Sequence, residues 1–305
     1  MAALGFDGKV AIVTGAGGGL GRAHALELAA RGALVVVNDL GGAVDGSGSD
    51  AGAAQLVVDE ITAAGGEAVA DTSSVATADG GEAIVQTAVD AFGRVDIVIN
   101  NAGILRDKSF HNMTGELLDP VLAVHLQGAF NVTRPAWVRM REQGSGRVIS
   151  TSSAAGLFGN FGQTNYGAAK MGLVGLTRVL AVEGAKYGIR ANAIAPLAQT
   201  RMTEEILGQM AGQLDPALVT PLVVYLAHES CDASGRVFAV GGGRVAEVFI
   251  GETNGWFDRA LTPETVAEHW PEITDREGYH VPMNLGDETG IFIRAFLQQQ
   301  QRAGM

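Results

Sequence analysis

The sequence predicts an α/β protein: a single doubly wound, mostly parallel sheet of seven strands with a C-terminal extension. Three observations predict it. Short β-branched runs alternate with longer alanine-rich stretches along most of the chain. Most of the short runs are apolar throughout rather than alternating, as strands covered on both faces are. A glycine-rich turn joins the first short run to the first long one.

The elements follow in order. The first strand is expected over 9–14, around Val10-Ala11-Ile12-Val13, and leads through the glycine turn into a helix over 20–31. Leu34-Val35-Val36-Val37-Asn38 is the second strand. The stretch 41–52 holds Gly41, Gly42, Gly46, Gly48 and Gly52 and reads as a flexible loop. A helix over 51–64, a strand over 67–70 and a helix over 79–92 come next. Then come a strand over 95–99, a long helix over 116–141 and a strand over 147–150. A helix over 165–187 and strands over 189–194 and 236–240 complete the sheet. The lengths and spacing of the longer stretches suit helices.

There is no linker and no internal repeat, so residues 1–258 are expected to form one nucleotide-binding and catalytic domain. Residues 259–305 are less apolar; they carry Trp270, Pro271 and Pro282, then a possible helix over 291–302. A lid, an oligomer contact and a surface wrap are the three readings of this extension.

Composition excludes several classes of function. Of the 305 residues 47% are hydrophobic and 18% charged, which is not a disordered chain. The net charge of −12 disfavours nucleic-acid binding, which needs a basic face. No apolar run is long enough for a membrane span. Cys231 is the single cysteine, so neither an intrachain disulfide nor a cysteine-built zinc site is possible, and no metal site is expected. Residues 1–30 lack a signal-peptide pattern and the chain ends Ala303-Gly304-Met305, which is no peroxisomal tripeptide. A cytoplasmic setting is expected. The 43 glycines are not periodic, which excludes collagen and suggests many tight turns.

The first turn reads Thr14-Gly15-Ala16-Gly17-Gly18-Gly19-Leu20-Gly21. Such a turn between strand and helix brings backbone close to a pyrophosphate and aims the helix N-terminus at its charge. Gly15, Gly19, Leu20 and Gly21 are therefore candidate cofactor residues of a Rossmann-type sheet. Asp39 ends the second strand, 18 residues after Gly21. A carboxylate there accepts hydrogen bonds from ribose hydroxyls and repels a 2′-phosphate, which favours NAD over NADP. No Lys or Arg stands between Thr14 and Gly21 to neutralise such a phosphate. The alternative for Asp39 is a solvated turn residue.

Tyr166 and Lys170 are four apart on an expected helix and share one face, and Ser153 lies 13 residues before Tyr166 at the end of a strand. Oxidising a carbinol needs a base for the hydroxyl proton, a donor to the oxygen and a hydride acceptor. A free tyrosine has a pKa of about 10. A nearby ammonium such as Lys170, together with the oxidised nicotinamide, favours tyrosinate and is expected to bring that value toward working pH. Ser153 would hold the oxygen as its charge changes.

With Thr14-Gly15-x-x-x-Gly19-x-Gly21, Asn100-Asn101-Ala102-Gly103, Ser153 and Tyr166-x-x-x-Lys170 in this order, the chain resembles the short-chain dehydrogenase/reductase family over about residues 7–245. The resemblance implies that Tyr166 is the acid/base, that Lys170 also binds the nicotinamide ribose, and that Ser153 orients the substrate. It implies that Asn101, Ala102 and Gly103 border the adenosine and that Ser74 and Val75 flank the adenine; the family often has Asp just before these two, where this chain has Ser73. Where the family's tetrad has Asn, this chain has His125. An imidazole there could bond a proton-relay water and titrate near neutrality, or could be a structural histidine bonded to backbone carbonyls. Ala195-Pro196-Leu197-Ala198-Gln199-Thr200-Arg201 replaces the usual Pro-Gly turn, with Ala198 and Thr200 as matches for nicotinamide contacts.

Finer matches at 36–42, 101–107, 124–126, 159–163 and 227–231 resemble one subfamily, the (3R)-hydroxyacyl-CoA dehydrogenase units of the peroxisomal multifunctional enzymes of type 2, also called 17β-hydroxysteroid dehydrogenases type 4. The likeness implies NAD-dependent oxidation of (3R)-3-hydroxyacyl-CoA to 3-oxoacyl-CoA in fatty-acid or sterol side-chain β-oxidation. Arg106, Lys108 and Arg201 are candidates for the CoA phosphates, beside the plainer reading of surface charges. Rivals are a steroid alcohol as substrate, a 3-oxoacyl carrier-protein reductase, and a non-catalytic nucleotide-binding protein on this scaffold. The family's usual association through its long helices implies a homodimer or homotetramer.

Overall fold

The structure, a computed structural model, describes residues 3–50, 52–198 and 214–303. Eight strands form one sheet: β1 (Val10–Thr14), β2 (Leu34–Asn38), β3 (Glu67–Asp71), β4 (Ile97–Asn100), β5 (Gly146–Thr151), β6 (Ile189–Pro196), β7 (Val237–Gly241) and β8 (Arg244–Val248). Their order is β3-β2-β1-β4-β5-β6-β7-β8. All pairs from β3 to β7 are parallel, with registers such as Ile12↔Val36 and Val98↔Val148. The expectation of seven strands is corrected by β8. It follows β7 after only Gly242 and Gly243, both at positive φ, and so short a connection returns the chain antiparallel.

The helices are α1 (Gly19–Ala30), α2 (Gly52–Ala63), α3 (Ala78–Phe92), α4 (Gly115–Leu122), α5 (Gly128–Gln143), α6 (Ala154–Phe158), α7 (Thr164–Gly184) and α8 (Thr220–Ala227). Side-chain alternation along the central strand explains the layers. Ala11 and Val13 of β1 join a core with Leu28 of α1, Ile61 of α2 and Val223 of α8. Val10 and Ile12 join a second core with Ile84 of α3 and Val132 and Met140 of α5. Both faces are buried, which is why β1 and β4 carry no polar alternation.

The single long helix expected over 116–141 is two helices. Between α4 and α5 the backbone makes a π-helical turn, Ala123–Gln127, that widens the helix by a residue and carries His125. Such turns cluster at functional sites.

By contacts the chain divides into Met1–Glu247 and Val248–Met305, so the first compact unit ends ahead of the expected boundary at 258. In the second unit Glu252 bridges His280, Trp256 stacks on His269 at 3.9 Å, and Phe249 stacks on Tyr279. It adds α9 (Pro263–Glu268), which starts with a Thr262–Thr265 capping box, α10 (Trp270–Ile273) and α11 (Leu285–Ala303). The last is longer than the helix expected over 291–302. No helix among the described residues is long and apolar enough to cross a membrane.

Candidate active site

A cleft of about 550 Å³ opens at the carboxyl ends of the strands, where the order turns back between β1 and β4. The chain enters it from β1 through Gly15, whose φ of +65° suits only glycine and whose absent Cβ would stand 2.8 Å from the Cα of Ala102. Gly21 is needed for a different reason: a Cβ there would stand 2.2 Å from the Gly15 carbonyl. Together they let α1 begin at the floor of the cleft, with no acidic residue in its first turn to oppose an anion. Gly15, Gly19 and Leu20 line the cleft and Gly21 packs behind it.

Asn101 locks this turn to β4. Its side-chain amide donates to the carbonyls of Thr14 and Gly15 at 3.0 and 3.1 Å. The Thr14 hydroxyl accepts from the amides of Asn101 and Ala102. Asp39, after β2, stands at the end of the cleft beside the turn. Its two carboxylate oxygens accept from the amides of Gly17 and Gly41, each at 2.7 Å. Ser74 and Val75 line the same end, with Val75 also held by its carbonyl, which accepts from the Asn131 side chain. Ser73 is part of a network around the buried Asp71 carboxylate, which also takes Asn38 and Thr87.

At the other end β5 delivers Ser153, which caps α6 by accepting from the Ala155 amide at 3.1 Å. Tyr166 and Lys170 lie one turn apart on α7 and face the same space, the ammonium nitrogen 5.4 Å from the phenol ring. Lys170 is buried and donates to the Thr151 carbonyl at 2.5 Å. Burial lowers its pKa to about 7. Burial likewise pushes the Tyr166 phenol above its usual range, against a lowering hydrogen bond with Ser153, and the Asp107 carboxylate adds to the rise. In the protein without nicotinamide the phenol is thus raised: desolvation outweighs the Ser153 hydrogen bond, and the neighbouring Asp107 charge acts in the same direction.

His125 packs edge-on against Tyr166, ring centres 5.2 Å apart. Its Nε2 meets the backbone of Ile104, 3.0 Å from the amide nitrogen and 2.8 Å from the carbonyl oxygen. Its buried Nδ1 has no hydrogen-bond partner among the described residues. Burial first, then the charge of Lys170, holds the ring well below the ordinary imidazole range despite the Ile104 bond. The ring is therefore neutral near pH 7 rather than titrating there.

Ala102, Gly103 and Ala198 also line the cleft. Thr200 and Arg201 lie outside the described residues. Arg106 is bound to two backbone carbonyls, those of Asp45 at 2.8 Å and Glu116 at 2.9 Å. Lys108 is exposed, its backbone bonded to Gly162. Sequence reasoning passed over Asn165. It is fully buried, donates to the carbonyls of Arg106 and Leu117, and accepts from the Tyr166 amide. Its position beside Tyr166 was the only local signal, because the carbonyls it meets belong to distant segments.

The residues fit a dinucleotide: a glycine cradle and helix start for the pyrophosphate, a carboxylate at one end and a hydroxyl, phenol and amine at the other. Known proteins agree. Residues 9–211 match the family described as short chain dehydrogenase. The chain is 54% identical over 276 residues to the short-chain type dehydrogenase/reductase Rv0148 of Mycobacterium tuberculosis, covering 90% of this chain and 96% of that one. It is 50% identical over 292 residues to the mouse peroxisomal multifunctional enzyme type 2, covering 94% of this chain but only 39% of that longer protein. With hydroxyacyl-CoA dehydrogenase ChsB1 of Mycobacterium tuberculosis it shares 46% identity over 265 residues, 79% of this chain and 80% of that one. A solved 7α-hydroxysteroid dehydrogenase, complexed with NADH and 7-oxo glycochenodeoxycholic acid, superposes with a TM-score of 0.71 at 29% identity, over 80% of this chain and 98% of that one.

Proposed function

The chain belongs to the short-chain dehydrogenase family and is an oxidoreductase, and from that premise we propose that it oxidises (3R)-3-hydroxyacyl-CoA to 3-oxoacyl-CoA with NAD. The observation that carries the reading is Ser153, Tyr166 and Lys170 gathered at one end of a cleft whose other end holds Asp39. Likeness to a protein named hydroxyacyl-CoA dehydrogenase and to multifunctional enzymes of type 2 supports the substrate class. The proposed setting is fatty-acid or sterol side-chain β-oxidation in the cytoplasm.

When bound, a nicotinamide would supply the acceptor for the hydride of the carbinol carbon. The chain's own residues handle the proton. Tyr166 takes it from the hydroxyl oxygen as the carbon–oxygen bond becomes a carbonyl, and returns it in the reverse direction. Ser153 donates a hydrogen bond to the same oxygen. Lys170 holds the ribose and supplies positive charge beside the phenol when protonated. Asp39 selects NAD: a 2′-phosphate would meet a carboxylate whose oxygens are already fixed by two amides, with no cation between Thr14 and Gly21 to offset it. The same feature argues against a reductase that runs on NADPH. The solved neighbour with a bile acid keeps a steroid alcohol as the second reading.

The assembly proposed is a homodimer or homotetramer through α5 and α7. Phe130 and Val138 of α5 and Met171, Val179 and Val182 of α7 are exposed apolar side chains that a partner helix pair would cover.

The test is NADH formation from NAD and resolved (3R)- and (3S)-hydroxyacyl-CoAs of medium and sterol-like chains. Turnover confined to the R series is expected. Turnover of steroid alcohols with neither acyl epimer used would overturn the substrate assignment.

A further inference from the structure

The segment after β4 joins the two ends of the cleft. On the adenosine side, the Leu105 amide donates to the Val44 carbonyl at 2.9 Å, and Arg106 Nε donates to the Asp45 carbonyl at 2.8 Å. Gly46 lies against Ile104, which is buried; a Cβ on Gly46 would stand 3.1 Å from that side chain. The glycine-rich loop over 41–50 is thus fastened to residues 104–106 at three points. Gly42, Val44 and Gly46 of this stretch line the cleft near Asp39.

On the catalytic side Arg106, alone of residues 104–106, makes the connection to α4 and to Asn165. Arg106 Nη1 donates to the Glu116 carbonyl at the start of α4. The Arg106 carbonyl accepts from Asn165 Nδ2 at 2.8 Å, and the same amide donates to the Leu117 carbonyl at 2.9 Å. Asn165 Oδ1 accepts from the Tyr166 amide at 2.8 Å. Both amide hydrogens and the oxygen of a fully buried side chain are therefore used, in an arrangement that neither an acid nor an apolar residue of that size reproduces.

We propose that Arg106 and Asn165 are one positioning device, which ties the order of the 41–50 loop at the adenosine end to the placement of Tyr166 at the reacting end. The proposal rests on Tyr166 as the group that moves the proton. Neither residue touches the reacting atoms. Arg106 lines the cleft but commits Nε and Nη1 to carbonyls of the loop and of α4, and the work assigned to it is to hold that backbone rather than substrate phosphate. Closing the loop over a dinucleotide fixes residues 104–106; these fix Asn165; and Asn165 fixes the first turn of α7.

Two variants test this: Arg106→Met, which keeps the aliphatic stem, and Asn165→Asp, which keeps the size and loses both donors. Asn165→Ser serves where the aspartate variant does not fold. The first readout is hydrogen exchange of the protein without cofactor. Asn165→Asp is expected to speed exchange in the 41–50 loop, and Arg106→Met to speed it at the start of α7, each about tenfold for one lost charged or buried hydrogen bond. Faster exchange confined to each variant's own neighbours would overturn the coupling.

The second readout is NADH affinity by fluorescence. Both variants are expected to weaken it, and the double variant to be no weaker than the worse single one, because the two act in one chain. Additive losses would overturn the proposal. The third readout compares a hydroxyacyl-CoA with the same acyl group on a phosphate-free thioester. Equal fold losses in kcat are expected for Arg106→Met on both. A loss in KM confined to the CoA substrate would show a phosphate contact and refute the positioning role. The first two readouts need no substrate, so they stand even where the proposed reaction fails.

Discussion

Tyr166 and Lys170 are both driven toward their neutral forms by burial, the phenol upward and the amine down to about 7. A protonated phenol is ready to give its proton to a carbonyl oxygen; oxidation needs the phenolate. Because the pKa lies above its ordinary value of about 10, the ionised fraction grows with pH through the range from 7 to 9. In free enzyme kcat/KM for oxidation is therefore expected to climb with pH between 7 and 9, at most about tenfold per unit, while reduction stays level because the phenol remains mostly protonated throughout. A flat oxidative profile from steady-state kinetics would contradict this. His125 is neutral throughout this range and adds no limb to the profile. At the other end Asp39 is the proposed selector of NAD over NADP. Asp39→Ser removes the repulsion and frees the Gly17 and Gly41 amides, so NADP use should rise relative to NAD by about tenfold or more. Competing the two cofactors in one assay measures the ratio; an unchanged ratio would place the discrimination elsewhere.

Among the elements, the π-helical turn between α4 and α5 sets how the site is closed from above. It brings His125 against Gly103, where an added Cβ would stand 2.3 Å from the ring. Gly103→Ala must move either the ring or the turn after β4, so cofactor affinity and turnover should both fall, by about tenfold or more. Gly103→Ala combined with His125→Asn, which shortens the side chain, should recover part of the loss; no recovery would show that the backbone, not the ring, is the obstacle. The core strands and the glycine turn were legible in the sequence because their signal is local: β1 and β4 are apolar at every or nearly every position, and Gly15 and Gly21 sit at fixed places in one turn. The break in the 116–141 helix was not legible, because its residues remain helix-forming and the extra residue is taken up only by packing. β8 was missed for a related reason. It is half exposed, so its sequence lacks the apolar run that marked the others, and only the Gly242-Gly243 pair betrayed the hairpin.

Across the whole molecule, two cores on opposite faces of one sheet carry a cleft at its switch point, and the residues of that cleft come from segments more than a hundred positions apart. Motif spacing pointed to Ser153, Tyr166 and Lys170, which the fold gathers at one cleft. It could not reveal Asn165 or the carbonyl partners of Arg106, since those pairings exist only once α4, α7 and the 41–50 loop meet. Association is expected at the same scale. Replacing Val182 with Glu on the exposed face of α7 should shift the protein toward monomer in sedimentation or light scattering, with the fold retained; an unchanged mass would assign the contact to another surface. The central claim is that this molecule removes a hydride from a (3R)-hydroxyacyl-CoA with Tyr166 as the proton acceptor. The most direct measurement is the rate of NADH formation by Tyr166→Phe in a single turnover with saturating NAD, alongside its affinity for NADH. A rate lower by about a thousandfold with affinity within twofold is predicted. A rate within about tenfold of the unaltered protein would contradict the account.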